Sequence, residues 1–428
     1  MEVENKRVAF QTYGCKLNFA ETSTISKSFI DKGYEVVDFK EEADVYVINS
    51  CTVTDNAEKR CKEAVRRAKR LNPKSKVAIV GCYSQLRTKE LEAFENVDFI
   101  LGNKEKFKLI NHVENFDGNC FSSNEAILKD KDFSPAYSID DRTRTFLKVQ
   151  DGCDYYCTFC AIPFARGRSR SDTVENTVKQ AMEVVAQGQK EIILTGVNIG
   201  TFGKGRDEKF YDLLIALEKV EGLERIRISS IEPNLLTNEI IDHVAQSKKI
   251  LPHFHIPLQS GSDEMLALMK RKYKREVFEN RVKSIKEKMP LACIAADVII
   301  GFPGETEEHF MDTYQFIEEL PLSYLHVFTY SDRPEAKASQ MEAKVKPADK
   351  KDRSKRLHAL GEQKKRDFYR INADTEHIVL WEGAHRNGKM NGLTENYVPI
   401  SAPFDESKIN TLETVKLEKV NTEGEWVV

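Results

Sequence analysis

The chain predicts an α/β architecture in three parts. An N-terminal parallel-sheet domain comes first, then a partial (β/α)6 barrel, then a small antiparallel β-barrel. Short apolar strands alternate with helical segments over 1–113 and again over 144–372. Such alternation builds a parallel sheet covered on both faces. The second run holds six β/α units, enough for a closed or partly closed barrel. Beyond 373 helices give way to short alternating segments, the pattern of a small barrel of the type that often holds RNA.

In the first domain, RVAFQTYG (7–14) reads as a strand and turn, followed by a helical pattern over 18–32. DVYVINS (44–50), KVAIVG (76–81) and FIL (99–101) are β-rich runs suited to buried strands. A basic helix over 54–71 stops before Asn72-Pro73, and another helix follows near 85–94. Residues 114–143 are polar and punctuated and read as a linker without regular structure. Barrel strands are TFLKVQ, EIILTG, RIRISSI, FHIPL, CIAADVIIG and YLHVFTY, with helices near 172–187, 210–221, 236–247, 275–288 and 306–319. A long charged helix covers 347–372, and HIVLWEG, YVPISA, TVKLEKV and EWVV make the last domain, 373–428. No repeat of fixed period is visible.

With 428 residues, 40% hydrophobic and 31% charged, the composition is that of an ordinary soluble protein of two or three domains. MEVENKRVAF lacks the layout of a signal peptide, and no apolar run approaches a membrane span. A cytoplasmic location is the expectation, with no membrane partner and a monomer by default. The net charge of −3 does not announce a nucleic-acid binder. However, residues 58–76 carry nine Lys/Arg against two Glu, and 344–366 carry ten against three acids. Each run can be a solvated helix face, but the pair makes a polyanionic partner worth testing.

Nine cysteines in such a chain point to metal or redox chemistry rather than disulfides. Cys153, Cys157 and Cys160 form CDYYCTFC just after a barrel strand, where barrel active sites lie. Three thiolates are one short of a closed structural site. Zinc and iron–sulfur both remain open on spacing alone, although no His lies within 80 residues after Cys160. Cys15, Cys51 and Cys82 each follow a strand. Successive parallel strands bring their carboxyl ends to one edge, so the fold should gather these three. Cys61, Cys120 and Cys293 read as structural.

The chain resembles the radical SAM superfamily in its C-x3-C-x2-C run with Phe159 before the last Cys. It resembles the methylthiotransferase family in TYGCKLN, INSCTVT, VGCYSQ, CDYYCTFCAIPFARGRSRS, ISSIEP, HIPLQSGSDEMLALMKRKY, DVIIGFPGET and GLTENYVPI. That resemblance spans essentially the whole chain and implies a three-Cys domain, a radical SAM barrel and a C-terminal TRAM domain. INSCTVTDNAEKR and GCKLN resemble the branch that modifies N6-threonylcarbamoyladenosine at position 37 of tRNA. Branches acting on isopentenyladenosine or on a ribosomal protein are the alternatives. FTYSDRPEAKA departs from the family pattern, where Pro and Gly are often seen.

The resemblance implies two 4Fe-4S clusters, on Cys153/Cys157/Cys160 and on Cys15/Cys51/Cys82, with S-adenosylmethionine at the open iron of the first. The second cluster would carry the sulfur. S-adenosylmethionine contacts fall at strand ends: Phe159, Thr195, Gly196, Asn198, Ser230, Glu232, Gln259, Val298 and Gly301. Arg166, Arg168, Arg170, Asn396 and Tyr397 are the expected RNA contacts. The implied partners are the tRNA anticodon stem-loop, a flavodoxin- or ferredoxin-type electron donor and an unspecified sulfur donor.

Overall fold

The computed structural model describes residues 6–52, 55–125, 127–138, 143–420 and 426–427. The chain divides into two compact units. The first comprises Met1–Ile139, Phe146–Asp154 and Cys160–Ser171, and the second Asp140–Thr145, Tyr155–Phe159 and Asp172–Val428.

The first unit is built on a six-stranded parallel sheet. Its strands are β1 (Arg7–Thr12), β2 (Glu35–Val37), β3 (Val45–Ser50), β4 (Lys76–Gly81), β5 (Phe99–Leu101) and β6 (Phe121–Ser123), in the order β2-β1-β3-β4-β5-β6. VYVINS in β3 is buried at every position, as expected of a central strand covered on both faces. Cys61, Ala64, Val65 and Ala68 form the buried face of the helix Asp55–Leu71 and pack under the sheet. Lys59, Arg60, Arg66 and Arg70 are left outside. Two edge strands escape sequence reasoning. EVV in β2 is too short to show a period, and β6 lies within the stretch expected to lack regular structure. Both satisfy backbone groups at the sheet's open edges, so position rather than propensity makes them strands.

Four further strands precede or open the barrel: β7 (Arg144–Lys148), β8 (Gln150–Asp151), β9 (Arg170–Ser171) and β10 (Glu191–Thr195). The β8–β9 pair is a short antiparallel ladder in the first unit. The second unit continues with β11 (Arg225–Ile228), β12 (His253–Gln259), β13 (Cys293–Ile300) and β14 (Tyr324–Thr329). With β7, whose Arg144 and Thr145 belong to this unit, these strands stand in the orders β7-β10-β11 and β12-β13-β14. Bridges Ile226↔Ile250 and Ser230↔His255 link the halves. Helices Val174–Ala186, Asn238–Gln246 and Glu307–Glu319 each start behind a Thr whose hydroxyl accepts a backbone N–H. The charged helix Pro347–Ile371 buries Leu357, Leu360 and Phe368.

The C-terminal strands are β15 (Glu376–Arg386), β16 (Lys389–Thr394), β17 (Pro399–Pro403), β18 (Leu412–Lys416), β19 (Lys419–Val420) and β20 (Trp426–Val427). They form one sheet in the order β18-β15-β16-β17-β20-β19. The expected all-antiparallel barrel is instead a curled mixed sheet, because β20 runs parallel to β17 at its free edge. Trp381 is fully buried among Val379, Met390, Val398 and Trp426.

Candidate active site

The ends of β1, β3 and β4 are in register, with Thr12 opposite Asn49 and Ser50 opposite Gly81. Cys15, Cys51 and Cys82 therefore leave the sheet at one edge. A β-carbon on Gly14 would stand 3.0 Å from Cys51 Cβ and 2.9 Å from Asn18 Nδ2. Only glycine, at φ +122, fits there. Asn18 Nδ2 donates to the carbonyls of Tyr13 (2.9 Å) and Ser50 (3.1 Å), tying the first cysteine loop to the second. Ser50 Oγ donates to the Val80 carbonyl at 2.6 Å and accepts from the Tyr83 amide, tying the second loop to the third. Cys82 is buried, Cys51 is half-buried and Cys15 is exposed, so the triad opens at the surface. Cys15 keeps accessible residue surface, yet desolvation of its sulfur pushes the thiol up, and Arg166 pulls it back.

Beneath these cysteines lies a buried charge network. Glu21 meets Lys106 (2.5 Å), Lys148 (2.9 Å) and Arg166 (3.0 Å), and Asp151 meets Lys148 (2.9 Å), Arg166 (3.1 Å) and Arg170 (3.2 Å). Desolvation works to raise Glu21, but Arg166, Lys106 and Lys148 hold it well below the usual carboxylate range. Burial pulls Lys106 down to about 8 despite Glu21.

Arg166 is thus a correction to its expected role as an RNA contact. It is 1% exposed and fully engaged by carboxylates, because two buried acids demand a fixed cation. Arg170 donates to the carbonyls of Asp132 (2.9 Å) and Arg166 (2.6 Å), so it too is committed inward. Arg168 remains exposed.

The CDYYCTFC run is shared between the units, with Cys153 and Cys160 in the first and Cys157 in the second. In the first unit the Cys153 amide donates to the Gly167 carbonyl at 3.0 Å, beside the β8–β9 ladder. In the second, Thr158 is clamped by its amide to the Met269 carbonyl (3.1 Å) and by its hydroxyl to that of Leu268 (2.9 Å). Arg271 Nη1 donates to Cys157 Sγ at 3.0 Å, and its other nitrogen pairs with Glu232. Burial raises the Cys157 thiol and Arg271 opposes this. Sequence reasoning missed Arg271. Nothing local in MKRKYKR (269–275) marks it, and only packing shows this arginine turned onto a cysteine.

The residues expected to contact S-adenosylmethionine sit at strand ends. Thr195 closes β10, with Gly196 and Asn198 after it. Ser230 and Glu232 follow β11. Gln259 ends β12 at φ +65 and pairs with Val298 across a register shift. Its buried Oε1 has no hydrogen-bond partner among the described residues. Gly301 follows β13, and its amide donates to Glu305 at 2.9 Å. Phe159 packs on Met265, Met269, Phe302 and Tyr330. This donor set fits a polar, nucleoside-bearing cofactor, and three thiolates are the number that leaves one iron of an iron–sulfur cube open. On the same barrel strands, ligand atoms of His255, Asp297 and His326 lie within 4.8 Å of one another.

Asn396 and Tyr397 are also placed differently from expectation. Asn396 is 1% exposed and donates to Leu291 O (2.8 Å) and Asn372 Oδ1 (2.7 Å). Tyr397 stacks 4.5 Å from His253 and 4.9 Å from Arg227. A turn at φ +71 directs it inward, so both residues join the C-terminal sheet to the barrel strands.

Residues 7–102 match the family described as uncharacterized protein family UPF0004, and residues 147–317 match the radical SAM superfamily. The threonylcarbamoyladenosine tRNA methylthiotransferase MtaB of Aquifex aeolicus is 41% identical, over 92% of this chain and 96% of that protein. The chain belongs to the radical SAM methylthiotransferase family. The Bacillus subtilis MtaB methylthiotransferase is 40% identical over 98% of this chain and 96% of its own. A Clostridium perfringens methylthiotransferase relative, described as a tRNA-2-methylthio-N(6)-dimethylallyladenosine synthase, is 33% identical over 97% and 96%. Among solved structures, the radical S-adenosylmethionine methyltransferase TsrM of Kitasatospora setae, with cobalamin and a [4Fe-4S] cluster bound, aligns at TM-score 0.57. It is 15% identical over 78% of this methylthiotransferase and 77% of TsrM, a likeness that speaks to the fold alone.

Proposed function

We propose that this chain inserts a methylthio group at C2 of N6-threonylcarbamoyladenosine at position 37 of tRNA, using S-adenosylmethionine and two 4Fe-4S clusters. The observation that carries this reading is a pair of three-cysteine groups in a chain collinear with MtaB enzymes at 35–41% identity. Cys153, Cys157 and Cys160 would hold the cluster that, with S-adenosylmethionine, would supply one-electron chemistry strong enough to activate an aromatic C–H bond. The residues here bind and orient. Cys15, Cys51 and Cys82, at the sheet edge, would hold the sulfur-carrying cluster. Arg271 neutralises and aims Cys157, while Glu232 fixes the guanidinium. Thr195, Asn198, Gln259 and Val298 line the strand ends that receive the cofactor. Arg168 is the remaining candidate of its group for the RNA backbone. The electron donor is a small flavodoxin- or ferredoxin-type protein.

The second reading is action on isopentenyl-type adenosine, favoured by the 33% identity to the dimethylallyladenosine synthase. Nucleoside mass spectrometry of tRNA from cells lacking this chain separates the two. Loss of 2-methylthio-N6-threonylcarbamoyladenosine supports the first, and loss of the isopentenyl product alone sinks it. Anaerobic iron counting tests the clusters. A Cys15/Cys51/Cys82→Ala chain should hold about half the wild-type iron, since each triad takes one cube. Equal iron, or zinc in its place, overturns the cofactor assignment.

A further inference from the structure

The buried charges of the first unit form a closed chain of contacts that begins on one cysteine of the N-terminal triad and ends on another. Cys15 Sγ donates to Asn18 Oδ1 at 3.6 Å, and the same oxygen accepts from Arg166 Nη2 at 2.7 Å. Arg166 pairs with Glu21, Glu21 with Lys106, and Lys106 Nζ donates to Asn103 Oδ1 at 2.8 Å. Asn103 Nδ2 completes the path by donating to Cys82 Sγ at 3.5 Å. The same amide group reaches the Ala165 carbonyl at 2.8 Å, next to Arg166. Asn18, Glu21, Asn103, Lys106 and Arg166 are each 4% exposed or less.

Charge within this network does not balance. Glu21 and Asp151 face buried Lys106, Lys148 and Arg166, with partly buried Arg170 beyond, so cations outnumber anions. A buried excess of cations is costly unless an anion lies beside it. The network reaches such a group at Cys82, whose sulfur accepts from Asn103 Nδ2. An amide N–H and fixed cations directed at thiolate sulfur withdraw charge from an iron–sulfur cluster and raise its reduction potential.

We propose that Asn103 and Arg166, held by Glu21, Lys106 and Asn18, are positioning residues that set the reduction potential of the N-terminal cluster. The proposal rests on Cys15, Cys51 and Cys82 holding that cluster. Asn103 acts through its bond to Cys82, and Arg166 acts through its charge, held in place by Glu21 and Asp151. Their roles differ from those of Arg271 and Glu232, which serve Cys157.

The test uses the full-length chain carrying Cys153/Cys157/Cys160→Ala, reconstituted anaerobically so that only the N-terminal cluster is present. Dye-mediated potentiometric titration followed by electron paramagnetic resonance reads its midpoint. Asn103→Leu should make reduction at least tenfold less favourable, a fall of about 59 mV for a one-electron couple. Arg166→Lys keeps the charge but loses the fork onto Glu21 and Asp151 that fixes its place, so it should shift the midpoint the same way by less. It also reads the potential if Asn103→Leu fails to load iron. Loaded clusters with unchanged midpoints overturn the inference. A parent chain that takes up no cluster overturns the functional reading instead, so the two failures are distinguishable.

Discussion

Arg166 and Arg168 are two positions apart and have opposite fates. Arg168 is exposed, while Arg166 is buried against Glu21 and Asp151. Arg166 hydrogen-bonds Asn18, Glu21 and Asp151, and each buried charged hydrogen bond lost costs about 1.5–3 kcal/mol. Arg166→Met is therefore expected to lower the thermal midpoint sharply. Arg168→Ala should leave stability within about 0.5 kcal/mol. It should instead weaken RNA binding and flatten its salt dependence, read by filter binding at several salt concentrations. If Arg168→Ala leaves RNA affinity untouched, its assignment to the backbone fails. Nothing local distinguishes these arginines in ARGRSR. The difference arises from acids far away in sequence, Glu21 above all, that the fold delivers to one spot.

The β8–β9 ladder with its connecting loop places two cysteines of CDYYCTFC and depends on one glycine. Gly152 stands at φ +68, and a β-carbon there would lie 2.0 Å from the Arg168 carbonyl oxygen. Backbone cannot yield as a flexible side chain can, and a positive φ adds strain for any L-residue. Gly152→Ala should therefore open the ladder and loosen Cys153 while sparing the sheet edge that carries Cys15, Cys51 and Cys82. Iron counting should find about half the wild-type content, with the cluster signal from S-adenosylmethionine binding lost. Full iron retention would show that the ladder is dispensable for the loop. The helices, by contrast, need no such rescue. Thr173, Thr237 and Thr306 cap three of them where the apolar period begins.

Across the second unit, Glu191 on β10 joins barrel to C-terminal sheet through arginines. It pairs with Arg225 (2.8 Å) and Arg227 (2.9 Å). Arg225 donates to the Leu393 and Thr394 carbonyls, and Arg227 to that of Glu395. Burial works to raise Glu191, but Arg227, Arg225 and Arg144 outweigh it and hold the carboxyl at about 2. Its unfolded value is about 4.3, so the depressed group contributes fully above that pH and its contribution is lost as pH falls through 2. The difference corresponds to about 3 kcal/mol. Glu191→Gln should be less stable than wild type at pH 7, with the gap in urea midpoint closing between about pH 5 and pH 2. A gap that stays constant down to pH 2.5 would exclude this linkage. No described helix is long and apolar enough to cross a membrane.

Strand–helix alternation, the CDYYCTFC spacing and the family motifs are written locally, because period, turn residues and ligand spacing need no distant partner; Cys15, Cys51 and Cys82 are gathered only by the sheet. β2 and β6 were not legible, since three-residue edge strands are made by the sheet they join. The inward turn of Asn396 and Tyr397, and the turning of Arg166 and Arg271 onto buried partners, were likewise decided by packing. A polar side chain carries its chemistry in its sequence letter. Whether it faces solvent or a buried acid depends on which groups the folded chain brings within 3 Å, as it does for Arg166 and Glu21.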